Sequence, residues 1–264
     1  MRVGAIDIQP VLDGAGVEFA AKVLSRPGVA DAWSCHAELL DADGRLHLEL
    51  GGFLVRTGER TVLVDAGVGR IDNGRYTGGG FLESLRRLGV RPEDVTDVLF
   101  THLHFDHVGW ATQQGAVVFP NATHRVHAAD WAHFVESAAA EAGAVRKLSP
   151  LAGRLAPFDA DGALAPGLSA RHTPGHTPGS TVYVVADGGE RALLLGDVVH
   201  SVAELHERDW EAVFDLDPAA ARAVRNTIAD EVADTVDLVV GAHFPGLRFG
   251  RVVTVAGNRT FRAV

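Results

Sequence analysis

Apolar and polar residues alternate along Met1–Pro10, and a period of two predicts a strand. Leu46–Leu50 and Gly52–Arg56 carry the same signature, and Thr61–Asp65 repeats it after the turn Thr57-Gly58-Glu59-Arg60. Phe81, Leu82, Leu85 and Leu88 fall on one face of a helix that Gly89 ends. Asp97–Thr101 then predicts another strand. Helical spacing returns over residues 129–142, with Trp131, Phe134, Val135 and Ala138 on the buried face. Residues 144–168, rich in Pro and Gly and without periodicity, predict a long loop or lid. Val182–Val185 and Ala192–Leu195 predict a hairpin across Asp187-Gly188-Gly189-Glu190. A helix opens at Asp217-Pro218, an N-cap followed by proline, and its stripe is Ala221, Val224, Ile228 and Val232. Asp237–Gly241 predicts the last strand. Strands and helices thus alternate in two halves without a tandem repeat or a domain boundary, which gives an α/β chain of one domain.

The candidate chemistry sits where these elements end. His102, His104, Asp106 and His107 crowd into Phe100-Thr101-His102-Leu103-His104-Phe105-Asp106-His107-Val108-Gly109, just after a predicted strand. His176, Asp197 and His243 each follow a separate apolar run. A lone histidine is more often a packing residue than a ligand. Four titratable groups within six residues are different, because burying them together without a cation leaves polar groups and charges unpaired at a cost of several kcal/mol. Five imidazoles and two carboxylates suffice for two divalent cations, with three donors each and one oxygen shared. Zinc suits these donors, with iron and manganese as competitors. No cysteine joins the set, so an open catalytic site is expected rather than a closed structural one. Asp65, at a strand end before Ala66 and Gly67, reads as a carboxylate that orients a ligand histidine, the alternative being a turn cap.

Composition narrows the function classes. The chain has 264 residues, is 47% hydrophobic and carries a net charge of -10. That suffices for a sizeable core and works against a nucleic-acid groove, which needs clustered Lys and Arg. Cys35 is the single cysteine, the N-terminus lacks the apolar stretch of a signal peptide, and no apolar run approaches the ~18 residues that span a bilayer. A soluble cytoplasmic enzyme acting on a small molecule, with neither nucleic acid nor membrane as partner, is the expectation.

The motif Thr-His102-Leu-His104-Phe-Asp106-His107-Val-Gly is similar to the signature of the metallo-β-lactamase superfamily, and His176, Asp197 and His243 follow in the order of that family's later ligands. The resemblance runs from about Gly51 to His243. It implies a four-layer αβ/βα sandwich, one domain over 1–264, with residues 1–50 as an N-terminal strand plus a flap-like or dimerisation segment. It implies one metal on His102, His104 and His176, a second on Asp106, His107 and His243, and Asp197 as the bridge. His172-Thr-Pro-Gly-His176-Thr-Pro-Gly-Ser180 resembles the family's third-ligand loop, with His172 structural. Gly196-Asp197-Val-Val-His200, Phe214-Asp-Leu-Asp217-Pro218 and His243-Phe-Pro245-Gly246 look similar to the branch of N-acyl homoserine lactonases and methyl-parathion-type organophosphate hydrolases.

Many lactonases of that branch carry a substrate-contacting tyrosine where this chain has His200, which resembles the organophosphate-hydrolase pattern. The implied activity is a dinuclear zinc hydrolase opening small lactones or esters. The rivals are phosphotriester hydrolysis at the same site and a one-iron, persulfide dioxygenase-like enzyme. Asp106 is the candidate proton carrier and His200 the candidate substrate contact, against a packing role for the latter. Phe105 and Trp110 read as pocket walls, Trp110 equally as core, and Trp33 as part of a flap. His36, His47, His124, His127, His133 and His206 read as surface or packing residues. By analogy with the branch, the assembly is a homodimer.

Overall fold

In strands β1 (Ile6–Phe19), β2 (Arg45–Thr57) and β3 (Arg60–Val64), successive side chains leave by opposite faces. Phe53, Val55, Val62 and Val64 therefore enter one core, while Leu54 and Leu63 enter another. β4 (Asp97–Leu99) splits the same way, Leu99 to the first core and Val98 to the second. With β5 (Thr123–Arg125) and two short edge strands these make a seven-stranded sheet, antiparallel from β1 to β3 and parallel from β3 to β5. The computed structural model describes all 264 residues.

A second seven-stranded sheet holds β6 (Leu168–His172), β7 (Thr181–Asp187), β8 (Glu190–Leu194), β9 (Leu238–Val240), β10 (Gly250–Val255) and β11 (Asn258–Ala263), with Gly162–Ala165 at its edge. Only β8 and β9 run parallel. The larger core, of 30 buried residues, joins the inner faces of both sheets. Helix α1 (Phe81–Arg87) covers the first sheet through Phe81 and Leu85 in the second core. The long helix Pro218–Val232 covers the other sheet through Ile228, Ala229 and Val232. Helix, sheet, sheet, helix is the αβ/βα sandwich that the sequence implied. No helix is long and apolar enough to cross a membrane.

The two predicted strands 46–50 and 52–56 are one strand, continuous through Gly51-Gly52. A Cβ at Gly52 would stand 2.6 Å from the carbonyl oxygens of Val64 and Asp65, so only glycine lets the strands approach here. The predicted helix over 129–142 is corrected: Ala128–Trp131 is α-helical, Ala132–Glu136 forms a π-turn, and Ser137 turns extended at ψ 140°. Beyond Val135 the stripe has only the exposed Ala138 to bury, and an alanine brings too little apolar area to hold another turn. The predicted loop over 144–168 is corrected too. It contains most of the helix Ala142–Leu148, the 3-10 segment Ser149–Arg154 and the edge strand Gly162–Ala165, anchored by buried Leu148 and Leu151. Trp33 lies on no flap. It is buried against Trp210 with ring centres 4.9 Å apart, and its Nε1 donates to the Leu24 carbonyl.

Candidate metal centre

In both halves the side chains of interest follow the C-terminal ends of parallel strands, where the pleat stops and the chain turns over the sheet edge. Past β4, Phe100 and Thr101 lead into the His102–His107 loop, and past β3 comes Asp65; past β8 comes Asp197, and past β9 comes His243. Asp65 adopts φ 62°, rare for a residue with a side chain, and is held there by its contacts. Its carboxylate accepts from Thr101 N and Thr101 Oγ1, both at 2.8 Å, and from His107 Nδ1 at 2.9 Å. At the end of the loop a Cβ on Gly109 would stand 1.9 Å from the Val68 carbonyl carbon, so glycine is required for the loop to fold under itself.

The His176 loop is closed by its own backbone and one hydroxyl: Thr173 N donates to the Ser180 carbonyl at 2.7 Å, and Thr177 N to Ser180 Oγ at 2.9 Å. The buried Asp130 carboxylate ties this loop to the motif, accepting from Leu103 N at 3.0 Å and Gly179 N at 2.6 Å. Burial pushes Asp130 up to about 6.

All seven predicted residues meet in two adjoining groups. His102 Nε2, His104 Nδ1 and His176 Nε2 lie 2.9–3.2 Å from one another. The edge of a zinc tetrahedron with Zn–N bonds of 2.0–2.1 Å is about 3.3 Å, so these three nitrogens stand nearly as a cation would space them. Around the second group, His243 Nε2 is 3.6 Å from Asp106 Oδ2, and His107 Nε2 is 4.0 Å from it. Asp197 lies between the groups. Its Oδ1 is 3.3 Å from His107 Nε2, and its Oδ2 is 3.2 Å from His243, 3.6 Å from His176 and 3.8 Å from His102.

The far side of three of the five rings sets the tautomer. His107 Nδ1 donates to Asp65, His176 Nδ1 to Asp215 Oδ1 at 3.0 Å, and His243 Nδ1 to the Glu49 carbonyl at 2.8 Å. Their Nε2 lone pairs are therefore free to face the centre. His107 Nε2 and Asp197 Oδ1 are buried with no hydrogen-bond partner, and a divalent cation satisfies both. The donor set fits two such ions.

Burial holds His102 and His176 well below the ordinary imidazole range and His104 down to about 3. At His107 and His243 burial works in the same direction, but the Asp197 carboxylate and its acidic neighbours outweigh it and hold both above that range. Asp197 is itself held well below the carboxylate range, because the surrounding imidazoles outweigh its burial.

A pocket of about 150 Å³ opens on the centre, lined by His104, Asp106, His176, Asp197, His200 and His243 together with Leu48, Tyr76, Phe105 and Phe214. His200 is buried there, Nε2 3.7 Å from Asp197 Oδ2 and Nδ1 3.5 Å from Glu204 Oε2. Phe105 lines the pocket as expected, 51% exposed. Trp110 is core, its Nε1 donating to Asp13 Oδ2 at 2.9 Å. His172 faces the Pro178 carbonyl at 2.8 Å and stacks on His127 at 3.8 Å, a structural position. His36, His124 and His206 pack away from the centre, His47 is on the surface, and His133 lies on the rim of a neighbouring cavity.

Four functional positions escaped the sequence reading. Asp215 orients His176, yet only its place before Asp217-Pro218 marked it. Tyr76, whose hydroxyl donates to Glu18 and whose ring stands edge-on to Phe105, lies in a stretch without periodicity. Glu204 and Arg225 form a fully buried ion pair behind His200, where Glu204 also accepts from His200 N at 2.6 Å.

The family model of the metallo-beta-lactamase superfamily matches residues 52–243. An N-acyl homoserine lactonase of Bacillus sp is 30% identical over 153 residues, 51% of this chain and 57% of that protein. The metallo-beta-lactamase domain-containing protein 1 of Mus musculus is 33% identical over 71% of this chain and 62% of its own length. The chain thus spans about three-fifths of these two relatives. The N-acyl homoserine lactonase of Bacillus cereus is 27% identical over 68% of this chain and 76% of its own. Among solved structures, the dizinc quorum-quenching lactonase AidC, in complex with the product N-hexanoyl-L-homoserine, superposes with a TM-score of 0.88 at 25% identity, covering 99% of this chain and 95% of that one. The hydrolase AbOPH of the beta lactamase superfamily gives 0.85 at 24% identity over 100% and 95%, a likeness of fold.

Proposed function

Since the chain belongs to the metallo-beta-lactamase superfamily, we propose that it is a metal-dependent hydrolase that uses two zinc ions to open small lactones or cleave carboxylic esters with an apolar acyl arm. One observation carries the substrate class. The 150 Å³ pocket over the clustered histidines shares His104 and Phe105 with a cavity of about 640 Å³ whose walls include Val68, Leu103, Val108 and Phe134. That volume lies within the usual range for small-molecule sites, and its apolar walls suit an acyl chain.

His102, His104 and His176 hold one ion, Asp106, His107 and His243 the other, with Asp197 between them. Bound there, the ions supply Lewis acidity and a hydroxide at neutral pH. The protein's own groups do the rest. Asp65, Asp215 and the Glu49 carbonyl keep the ligand rings aimed. The half-exposed Phe105, with Phe214, walls the pocket against water. Asp106, at the pocket surface, carries the proton to the departing alkoxide, and His200 contacts the substrate's oxygen.

Phosphotriester cleavage at the same centre is the second reading, favoured by His200 standing where many lactonases of the branch have tyrosine. Elemental analysis of untagged protein with a lactone, ester and phosphotriester panel tests both. About two zincs per chain with lactone or ester turnover supports the proposal, and phosphotriester turnover alone selects the second reading. One iron per chain and no hydrolysis overturns both in favour of a persulfide dioxygenase-like enzyme.

A further inference from the structure

Next to the apolar cavity lies another, of about 430 Å³, and it differs in charge. Arg70, Arg146 and Lys147 line it with Gln113 and Gln114, and no carboxylate does. In a chain of net charge -10 this reverses the average surface. None of the three cations is in an ion pair. Arg70 lies over the Trp110 ring, 5.7 Å from its centre, and Arg146 is exposed on its helix. Lys147 Nζ donates to the carbonyls of Gly109 and Thr112, which fix the ammonium without neutralising it.

The cavities adjoin in sequence. His104 and Phe105 line both the metal pocket and the apolar cavity, and Gly143 and Lys147 line both the apolar cavity and the cationic one. At Gly143, which is exposed, a Cβ would meet nothing within 4 Å. Glu141 is the single carboxylate on the apolar cavity's wall.

We propose that the substrate's acyl arm ends in a carboxylate seated among Arg70, Arg146 and Lys147. This rests on the ester reading above and adds a charge to the substrate. A cavity lined by one sign of charge concentrates the opposite ion, and the two guanidiniums and the glutamine amides offer the donors that a carboxylate accepts. The apolar cavity receives the methylenes between the ester carbonyl and that carboxylate.

Two esters of equal acyl length test it: p-nitrophenyl octanoate and mono-p-nitrophenyl suberate. The wild type is expected to show at least a tenfold lower KM for the suberate ester at low salt, with the preference shrinking as salt rises. In the double variant Arg70→Glu, Arg146→Glu the KM ratio falls to one or inverts. Arg251→Glu with Arg262→Glu, the same change of charge on the C-terminal hairpin, leaves the ratio in place. Equal KM values in the wild type, or a ratio that survives the first double variant, overturns the proposal.

If neither ester is turned over, the ester reading fails, and calorimetric binding of suberate against octanoate still decides. Tighter suberate binding that the Arg70/Arg146 variant loses supports the cavity's role, and equal binding overturns it.

Discussion

The two halves of the centre use the same ring and differ in charge. His102, His104 and His176 bring three nitrogens within 3.2 Å of one another, and loss of solvent keeps all three rings neutral. His107 and His243 face Asp197 and Asp106, and those carboxylates hold both rings above the ordinary imidazole range. The carboxylate half can therefore satisfy itself with protons when no metal is bound. The imidazole trio stays uncharged and has only the hydrogen bonds among its own rings. A cation at the trio meets uncharged rings, whereas one at the other half must displace protons from charged ones.

The largest expected effect breaks the trio. His104→Ala removes one of three nitrogens, and both activity and bound metal should be lost in elemental analysis and ester assays; normal turnover would end the site assignment. Asp197→Asn comes next. It leaves the amide's oxygen but removes the charge between the halves, and metal content should fall from about two per chain toward one, with the trio keeping its ion. Asp215→Ala tests the ring that is oriented from behind. Freed to rotate, His176 should bind zinc roughly 10–100-fold more weakly, measured by competition with a chelating dye. His200→Tyr should be the mildest. Metal content stays as it is while kcat/KM for lactones changes, and unchanged kinetics would make His200 a packing residue.

Much of this contrast was legible beforehand because it is local. The six residues from His102 to His107 hold donor groups of both halves, and strand ends announced His176, Asp197 and His243. Binary patterning gave the strands because burial on alternate faces leaves a period of two. What was missed depends on contacts distant in sequence. Arg225 occupies the buried stripe of its helix, four residues after Ala221, and reads as a surface cation until Glu204 is folded against it. Asp130 looked like part of a helix's first turn, yet its carboxylate pins backbone amides 27 and 49 residues away. The helix over 129–142 failed for the opposite reason: the periodicity was present in the sequence, but its last turn had nothing large to bury. The backbone instead turns at Ser137, and Ser137, Ala139 and Ala140 become walls of the apolar cavity.

The difference in charge between the halves also sets the pH dependence. A raised imidazole pKa means that protons compete for His107 and His243 at higher pH than for His102, His104 and His176. As pH falls, the carboxylate half should therefore lose its metal first. Calorimetric titration of chelator-stripped protein with zinc, repeated in buffers of different ionisation enthalpy and at falling pH, measures this directly. Two binding events are predicted at neutral pH, the weaker one releasing protons and vanishing first on acidification. A single event, or two that weaken in parallel as pH falls, would contradict a centre built from unlike halves around Asp197.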